Sequence, residues 1–295
     1  MHKSAEAIMK DKVVITCAVT GVLANRKQCP WVPYTPEEIG EECQRAYEAG
    51  ASVCHIHARD PDSGGPAFGP AIYQRIHDEV RKRSPVLVNF STGAIGMPVE
   101  EKIAHIPVVR PAIAALNMGS MNYAKYSEKR KDFVFDLLFA NPFGEIVHTL
   151  RTFQEHRVKP ELECFDSGHT NSIWPLLDLG VLTPPLQFSF ILGVVGGIPA
   201  TAEALAFQKA QIPDHSQWEV IGISHEQWLL VAAALSLGGN VRVGLEDNFY
   251  VAPGVMAKSN GELVAKAARM ARDVGREPAS VAEARKILGI PDDRF

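Results

Sequence analysis

The chain reads as a single-domain α/β protein, a (βα)8 TIM barrel, on three observations. Short β-branched or aromatic runs alternate with longer helical patterns from end to end; eight such runs can be counted; and polar residues gather where the runs stop. Each run is almost continuously apolar, as strands covered on both faces require. At 295 residues and 46% apolar content, the length suits one barrel of about 250 residues with extensions, or two small domains. No composition break, Ser/Gly linker or low-complexity stretch divides it, so we read residues 1–12 as an N-terminal extension and 13–295 as the barrel.

The strands are expected at Val13–Val19, Ser52–Ala58, Val86–Ser91, Ala112–Asn117, Glu161–Asp166, Leu186–Leu192, Glu219–Ile223 and Asn240–Leu245. Thr35-Pro36-Glu37-Glu38 announces the first helix, with an N-cap hydroxyl, proline at the first helical position and acids in the first turn. Further helices are expected at Asn171–Gly180, Thr201–Gln211, Glu226–Gly238, Asn260–Gly275 and Ala282–Leu288. A doubly wound open sheet would want Gly-x-Gly-x-x-Gly after its first strand, and Thr20-Gly21-Val22-Leu23 stands there instead.

A formal charge of −4 without a basic block argues against nucleic acid and for small-molecule chemistry. No stretch approaches the roughly 20 apolar residues of a membrane span, and Met1 to Lys12 lacks an apolar h-region, so cytoplasmic residence is the expectation. Five scattered cysteines without a Cys-x-x-Cys pair indicate neither a disulfide framework nor a zinc-thiolate site.

His55 and His57 close the second strand. Residues two apart on a strand share a face, about 6.5 to 7 Å apart at the backbone, which suits two imidazoles on one divalent ion; the plain alternative is a pair of core histidines. In a barrel the active site lies at the C-terminal ends of the strands. Collected there are Thr20, Asn89, Ser91, Thr92, Asn117, Glu161, Glu163, Asp166, Ser224, His225, Arg242, Glu246 and Asp247. Even-numbered strands share layers, so Glu246 from strand 8 can meet both imidazoles as a third ligand. Two His and one carboxylate make an open set suited to Zn2+, with Fe(II), Mn and Co also compatible.

Asp247 suits a general base with Arg242 as its charge partner, although a plain Arg242–Asp247 ion pair would read the same way. Ser91, Thr92 and Gly93 offer donors to a carboxylate, or serve as a helix cap. Gly196 and Gly197, in Gly193-Val-Val-Gly-Gly-Ile-Pro-Ala-Thr201, can bring backbone N–H groups to a phosphate or thioester carbonyl, or can be glycine for steric reasons. Of the remaining histidines only His169, after strand 5, is kept in view. A metal hydrolase, a metal-dependent aldolase and a non-enzymatic ligand-binding barrel are the rival readings. Amidohydrolases place their His-x-His on the first strand, whereas this chain has it on the second.

The sequence resembles the β-keto acid cleavage enzymes from Val14 to about Leu288. The resemblance rests on Ile15-Thr-Cys-Ala-Val-Thr-Gly21, Pro33-Tyr-Thr-Pro-Glu-Glu38, His55-Ile-His-Ala-Arg-Asp60, Ser91-Thr-Gly93, Pro160-Glu-Leu-Glu163, Gly193-Val-Val-Gly-Gly197 and Gly239-Asn-Val-Arg-Val-Gly-Leu-Glu-Asp-Asn248. It implies a (βα)8 barrel, a homotetramer, and zinc held by the equivalents of His55, His57 and Glu246. It implies acyl exchange, in which a β-keto acid and acetyl-CoA give acetoacetate and a new acyl-CoA. The keto oxygen would be polarised by zinc, and an acetyl-CoA carbanion formed by Asp247 and Arg242 would add to it. CoA transfer and retro-Claisen cleavage would follow. Ser91 matches the residue on the substrate's carboxylate side, and Glu163 an acid near the pocket. Against 3-keto-5-aminohexanoate cleavage enzyme, the family's amino-substrate member, the acidic residue meeting the amine falls near Leu23 and a threonine falls near Met118. The expected substrate therefore lacks a primary amine, for instance an alkyl β-keto acid. A quaternary ammonium held by Trp31 and Tyr34 is the weaker option.

Overall fold

The computed structural model describes residues 11–294. Eight parallel strands close into a barrel in chain order: β1 (Ile15–Ala18), β2 (Val53–Ile56), β3 (Leu87–Ser91), β4 (Ile113–Asn117), β5 (Lys159–Cys164), β6 (Gln187–Leu192), β7 (Gln217–Gly222) and β8 (Asn240–Val243). Each overlaps its expected stretch, with β5 and β7 starting two residues earlier than expected. The expected N-terminal extension falls outside the described residues for 1–10, and Lys12 is already tied in: Lys12–Val13 pairs in parallel with Glu277–Pro278.

Local chemistry explains the helices. Thr35 accepts the Glu38 N–H while Glu38 accepts the Thr35 N–H, a capping box that starts helix Pro36–Ala49. That helix buries Ile39, Cys43 and Ala46, one stripe at helical spacing, against the outside of the sheet. The helix expected over 171–180 is instead two short ones, Ser167–Asn171 and Ile173–Asp178. Pro175 has no N–H to offer Asn171, so one continuous helix cannot run through.

Strand alternation sorts the residues into an outer and an inner set. Outward-facing Ile15, Cys17, Cys54, Ile56, Val88, Phe90, Leu162, Phe188, Val220 and Val241 form the main core with the helices. Inside, the floor is apolar: Val14, Val53, Leu87 and Ile113 meet Ala279, Ala284, Leu288 and Ile290 at the C-terminal helix Val281–Leu288. Above it the alternate strands β1, β3, β5 and β7 supply Thr16, Asn89, Glu161 and Glu219, one buried layer that is wholly polar.

Two hairpins escape the sequence reading. Met121–Ser127 pairs antiparallel with Asp132–Phe139 between β4 and helix Phe143–Glu155, and Tyr250–Ala252 pairs with Val255–Met256 after β8. The base of the first hairpin covers part of the mouth, where Met121 and Phe139 pack with Phe165, Ile191 and Ile221. No helix among the described residues is long and apolar enough to cross a membrane.

Candidate active site

His55 points into the barrel, in register with Ala18 of β1 and Asn89 of β3. His57 sits just past the end of β2, and Thr20 pins it there by accepting its N–H (2.9 Å) and donating to its carbonyl (2.8 Å). The two imidazole centroids are 5.1 Å apart. Beyond β8, the Glu246 N–H bonds to Ala18 O at 3.1 Å, which brings its side chain to the same opening. Its Oε2 accepts the Gly21 N–H at 3.1 Å. Gly21 has φ +59°, and a Cβ there would lie 2.7 Å from Glu246 Cγ, so this turn requires glycine.

Glu246 Oε1 lies 3.7 Å from His55 Nε2 and 3.3 Å from His57 Nε2. One ligand atom from each of the three residues falls within 4.8 Å of the others. Both His55 ring nitrogens are buried without a hydrogen-bond partner, a costly arrangement that a divalent ion at Nε2 would relieve. Burial first, then the Arg242 charge, holds His55 well below the ordinary imidazole range despite Glu246, leaving the neutral ring that ligates metals. Burial would raise Glu246, but Arg242 and then His57 and His55 outweigh it and hold the carboxyl well below its usual range. This donor set fits an open divalent site.

Arg242 organises the acids. Its Nε and Nη2 grip Asp247 Oδ2 and Oδ1 at 3.0 Å each, Nη2 also reaches Glu246 Oε1 at 2.7 Å, and Nη1 lies 3.4 Å from Glu163 Oε1. Extended chain would point Asp247 away from Glu246; the shared guanidinium, with the turn in which Asp247 N–H meets Gly244 O at 3.1 Å, keeps both at the opening. Burial raises Asp247 most strongly; Arg242 pulls it back and Glu246 adds to the rise, leaving it at about 6. Burial and then Glu161 push Glu163 up to about 8 against the pull of Arg242, so at neutral pH it is largely an uncharged acid.

The other expected residues divide. Ser91, Gly93 and Asn117 come together: Ser91 Oγ accepts the Gly93 N–H at 3.1 Å, and a Cβ on Gly93 would meet Asn117 Nδ2 at 3.2 Å. Asn117 is in register with Glu163, so this lip leads to Arg242. Thr92 does not join them, because its hydroxyl is spent on Ala115 O at 2.6 Å. Gly196 and Gly197 are glycines for packing: Cβ atoms would strike Asn122 O at 1.8 Å and Phe165 O at 2.6 Å, and the Gly197 N–H already bonds Val194 O at 3.0 Å. Met118 is fully buried in the core outside the barrel rather than in the pocket. Leu23 is 56% exposed, on a loop held by Arg59 bonds to Gly21 O and Ala24 O. Tyr34 offers no cage, since Arg26 and Arg59 already lie over its ring at 4.3 and 5.0 Å. His169 is spent on Phe165 N–H and Ser120 O, each at 3.3 Å.

Sequence reasoning left Thr16, Ser189 and Glu219 unassigned, although their positions at inward parity were readable. It also missed Tyr123 on the hairpin. The Tyr123 phenol is pushed up to about 12 by burial and then by the charges of Glu246, Asp247 and Glu163. The clasp at Asn260 went unseen too: it accepts the Leu245 N–H at 2.9 Å, donates to Val19 O at 3.3 Å, and is held by Glu42.

A closed parallel barrel with an open His-His-Glu set and an Arg-bound aspartate at its C-terminal mouth defines an enzyme of the metal-capable TIM-barrel class. Residues 12–290 match the family described as beta-keto acid cleavage enzyme, and the chain belongs to that family. It is 38% identical over 282 residues to "3-keto-5-aminohexanoate cleavage enzyme" of Acetoanaerobium sticklandii, covering 95% of this chain and 99% of that protein. It is 32% identical over 297 residues to "3,5-dioxohexanoate:acetyl-CoA acetone transferase" of Paraburkholderia graminis, covering 95% and 96%. The solved structure "Binary complex of ObcA with oxaloacetate" shares the fold, with a TM-score of 0.72 at 22% identity over 88% of this chain and 68% of that one.

Proposed function

We propose that this enzyme exchanges acyl groups between a β-keto acid lacking a primary amine and acetyl-CoA, giving acetoacetate and a new acyl-CoA. The observation that carries the reading is the convergence of His55 Nε2, His57 Nε2 and Glu246 Oε1 beside the Arg242–Asp247 pair. Zinc held by His55, His57 and Glu246 would supply Lewis-acid polarisation of the keto oxygen.

Bond balance decides the nucleophile. The new thioester must carry the keto carbon, C3, so C2–C3 breaks, and acetoacetate joins C1–C2 of the keto acid to the acetyl carbonyl. The carbanion therefore forms at C2 of the keto acid, which corrects the acetyl-CoA carbanion expected above. Asp247, at about 6, is matched to take that C2 proton at neutral pH, with Arg242 orienting it. C2 attacks the acetyl carbonyl, the released CoA sulfur adds to C3, and retro-Claisen cleavage of C2–C3 leaves the electron pair on C2, which takes the proton back from Asp247 and so frees acetoacetate and the new acyl-CoA. Ser91 and the Gly93–Asn117 lip suit the substrate carboxylate, and uncharged Glu163 can donate a hydrogen bond beside it.

The rest of the mouth favours an apolar tail. Met121, Phe139, Phe165, Ile191 and Ile221 make one wall, with Tyr123, Leu137, Val194 and Ile223 packed against it. Phe139 reaches the Gly93 lip, while Ile221 is in register with Arg242. Leu23 offers an ammonium no charge. The proposal includes a cytoplasmic location and a homotetramer; exposed Tyr126, Phe133, Val134 and Leu138 on the first hairpin offer an apolar face for self-association.

The test is acetoacetate formation by the zinc-loaded protein from a panel of β-keto acids, with and without acetyl-CoA. Formation that needs acetyl-CoA and favours 3-oxohexanoate over 3-keto-5-aminohexanoate is expected. Comparable turnover of the two removes the substrate argument, and silence with zinc bound turns the reading to a metal hydrolase or aldolase.

A further inference from the structure

Beneath the site, His55 Nδ1 and Asn89 Oδ1 are both buried without a partner, and the two residues are in register across β2 and β3. The other end of the Asn89 amide is committed: Nδ2 donates to Glu161 Oε2. The opposite amide orientation would set oxygen against carboxylate oxygen, so only Oδ1 remains to face the imidazole. Glu161 in turn receives the Ser189 hydroxyl on Oε1, and its Oε2 lies 4.0 Å from His55 Nδ1. Glu219 braces the far side, with its Oε1 3.1 Å from Ser189 Oγ and its Oε2 accepting from Thr16 Oγ1 at 2.6 Å. The two unpaired atoms are complementary only if Nδ1 carries the proton, and that would leave the Nε2 lone pair bare on the side where Glu246 and His57 converge.

We propose that Asn89, locked by Glu161, is a positioning residue that holds His55 in its Nδ1–H tautomer with Nε2 turned to the metal position. The polar layer inside the barrel thus orients the ring as well as filling the interior. Supporting acceptors of this kind fix ring orientation and raise ligand basicity, and their loss typically weakens metal binding about 10- to 100-fold.

The inference rests on the metal-site reading, and two readouts separate the two. Nitrogen-15 NMR of the histidine rings in the metal-free protein, with the His55 signals identified by their loss in His55→Gln, is expected to show the proton on Nδ1. In Asn89→Leu, which keeps the bulk but removes the acceptor, the proton is expected to move to Nε2, facing Glu246. Zinc affinity, measured by competition with a chelator, is expected to fall about 10- to 100-fold in Asn89→Leu. An Nε2–H tautomer in the unaltered protein overturns the inference, and so does an Asn89→Leu protein that keeps both tautomer and affinity. Should Asn89→Leu fail to fold, Asn89→Ala, which also removes the acceptor, is read in the same two ways and decides. Absence of zinc binding by the unaltered protein would overturn the metal-site reading, while the tautomer would still report on Asn89.

Discussion

His55 and His105 are alike in every property that a search for unusual histidines would use. Both are fully buried, both have two ring nitrogens without a partner, and burial pulls both below the ordinary imidazole range. Their neighbours differ. His105 stacks on Tyr73 with centroids 3.9 Å apart and meets Phe90 edge-on at 5.9 Å, and burial alone shifts it. Around His55 stand His57, Glu246, Glu161 and Arg242, and second donor atoms converge on its Nε2. Orphaned nitrogens mark a desolvation cost at either place; only convergence of independent donors marks a site.

Removing the convergence should have the largest effect. Glu246→Gln takes away the carboxylate nearest both imidazoles, and zinc affinity should fall by more than the 10- to 100-fold typical of a supporting residue, with turnover lost. Equilibrium dialysis against zinc checks this. Binding as tight as in the unaltered protein would reduce the His55 neighbourhood to the status of His105. Asp247→Asn should come next, lowering turnover about 10²- to 10⁴-fold while zinc stays bound, because it removes a proton acceptor and no ligand. Zinc loss in that variant would instead make the Arg242–Asp247 pair a structural brace.

The contrast also explains what the sequence could disclose. All eight barrel strands were legible because apolar runs covered on both faces leave a compositional mark, and the His-Glu set was legible because it sits at strand ends of fixed parity. The opposing wall was not. Met121 and Phe139 arrive on a hairpin inserted after β4, and no repeat of the barrel predicts where an insertion folds back. Thr92 and Met118 fell one residue out of phase: each follows an inward-facing residue, so each turns outward. Gly196 and Gly197 misled for a different reason, since close backbone packing and anion binding both demand glycine and only neighbouring atoms distinguish them.

The apolar wall gives the third test. Ile191→Ala removes buried carbon opposite the polar side, so kcat/KM for a long alkyl β-keto acid should fall about 10-fold or more while the shortest substrate is nearly unaffected. A uniform fall across chain lengths would mean that the wall shapes the mouth without touching substrate.

The smallest effect is predicted at His105, where it concerns stability alone. Burial holds this ring at about 3, far below the roughly 6.5 of an unfolded histidine. Above pH 6.5 both states are neutral there, and the contribution to stability is fully present. As pH falls below 6.5 the unfolded chain takes up a proton that the native ring refuses, and the contribution is lost progressively toward about pH 3. Between pH 6.5 and 5.5 the loss from this one group is about 1 kcal/mol. His105→Phe keeps the aromatic stack and removes the titration, so denaturant unfolding at the two pH values should show the fall in stability shrink by about that amount. Zinc affinity and turnover should stay unchanged in this variant. An equal fall in both proteins would mean that native His105 takes up its proton as readily as the unfolded chain does, with water or an acceptor holding the imidazolium, and the distinction from His55 would then rest on donor convergence alone.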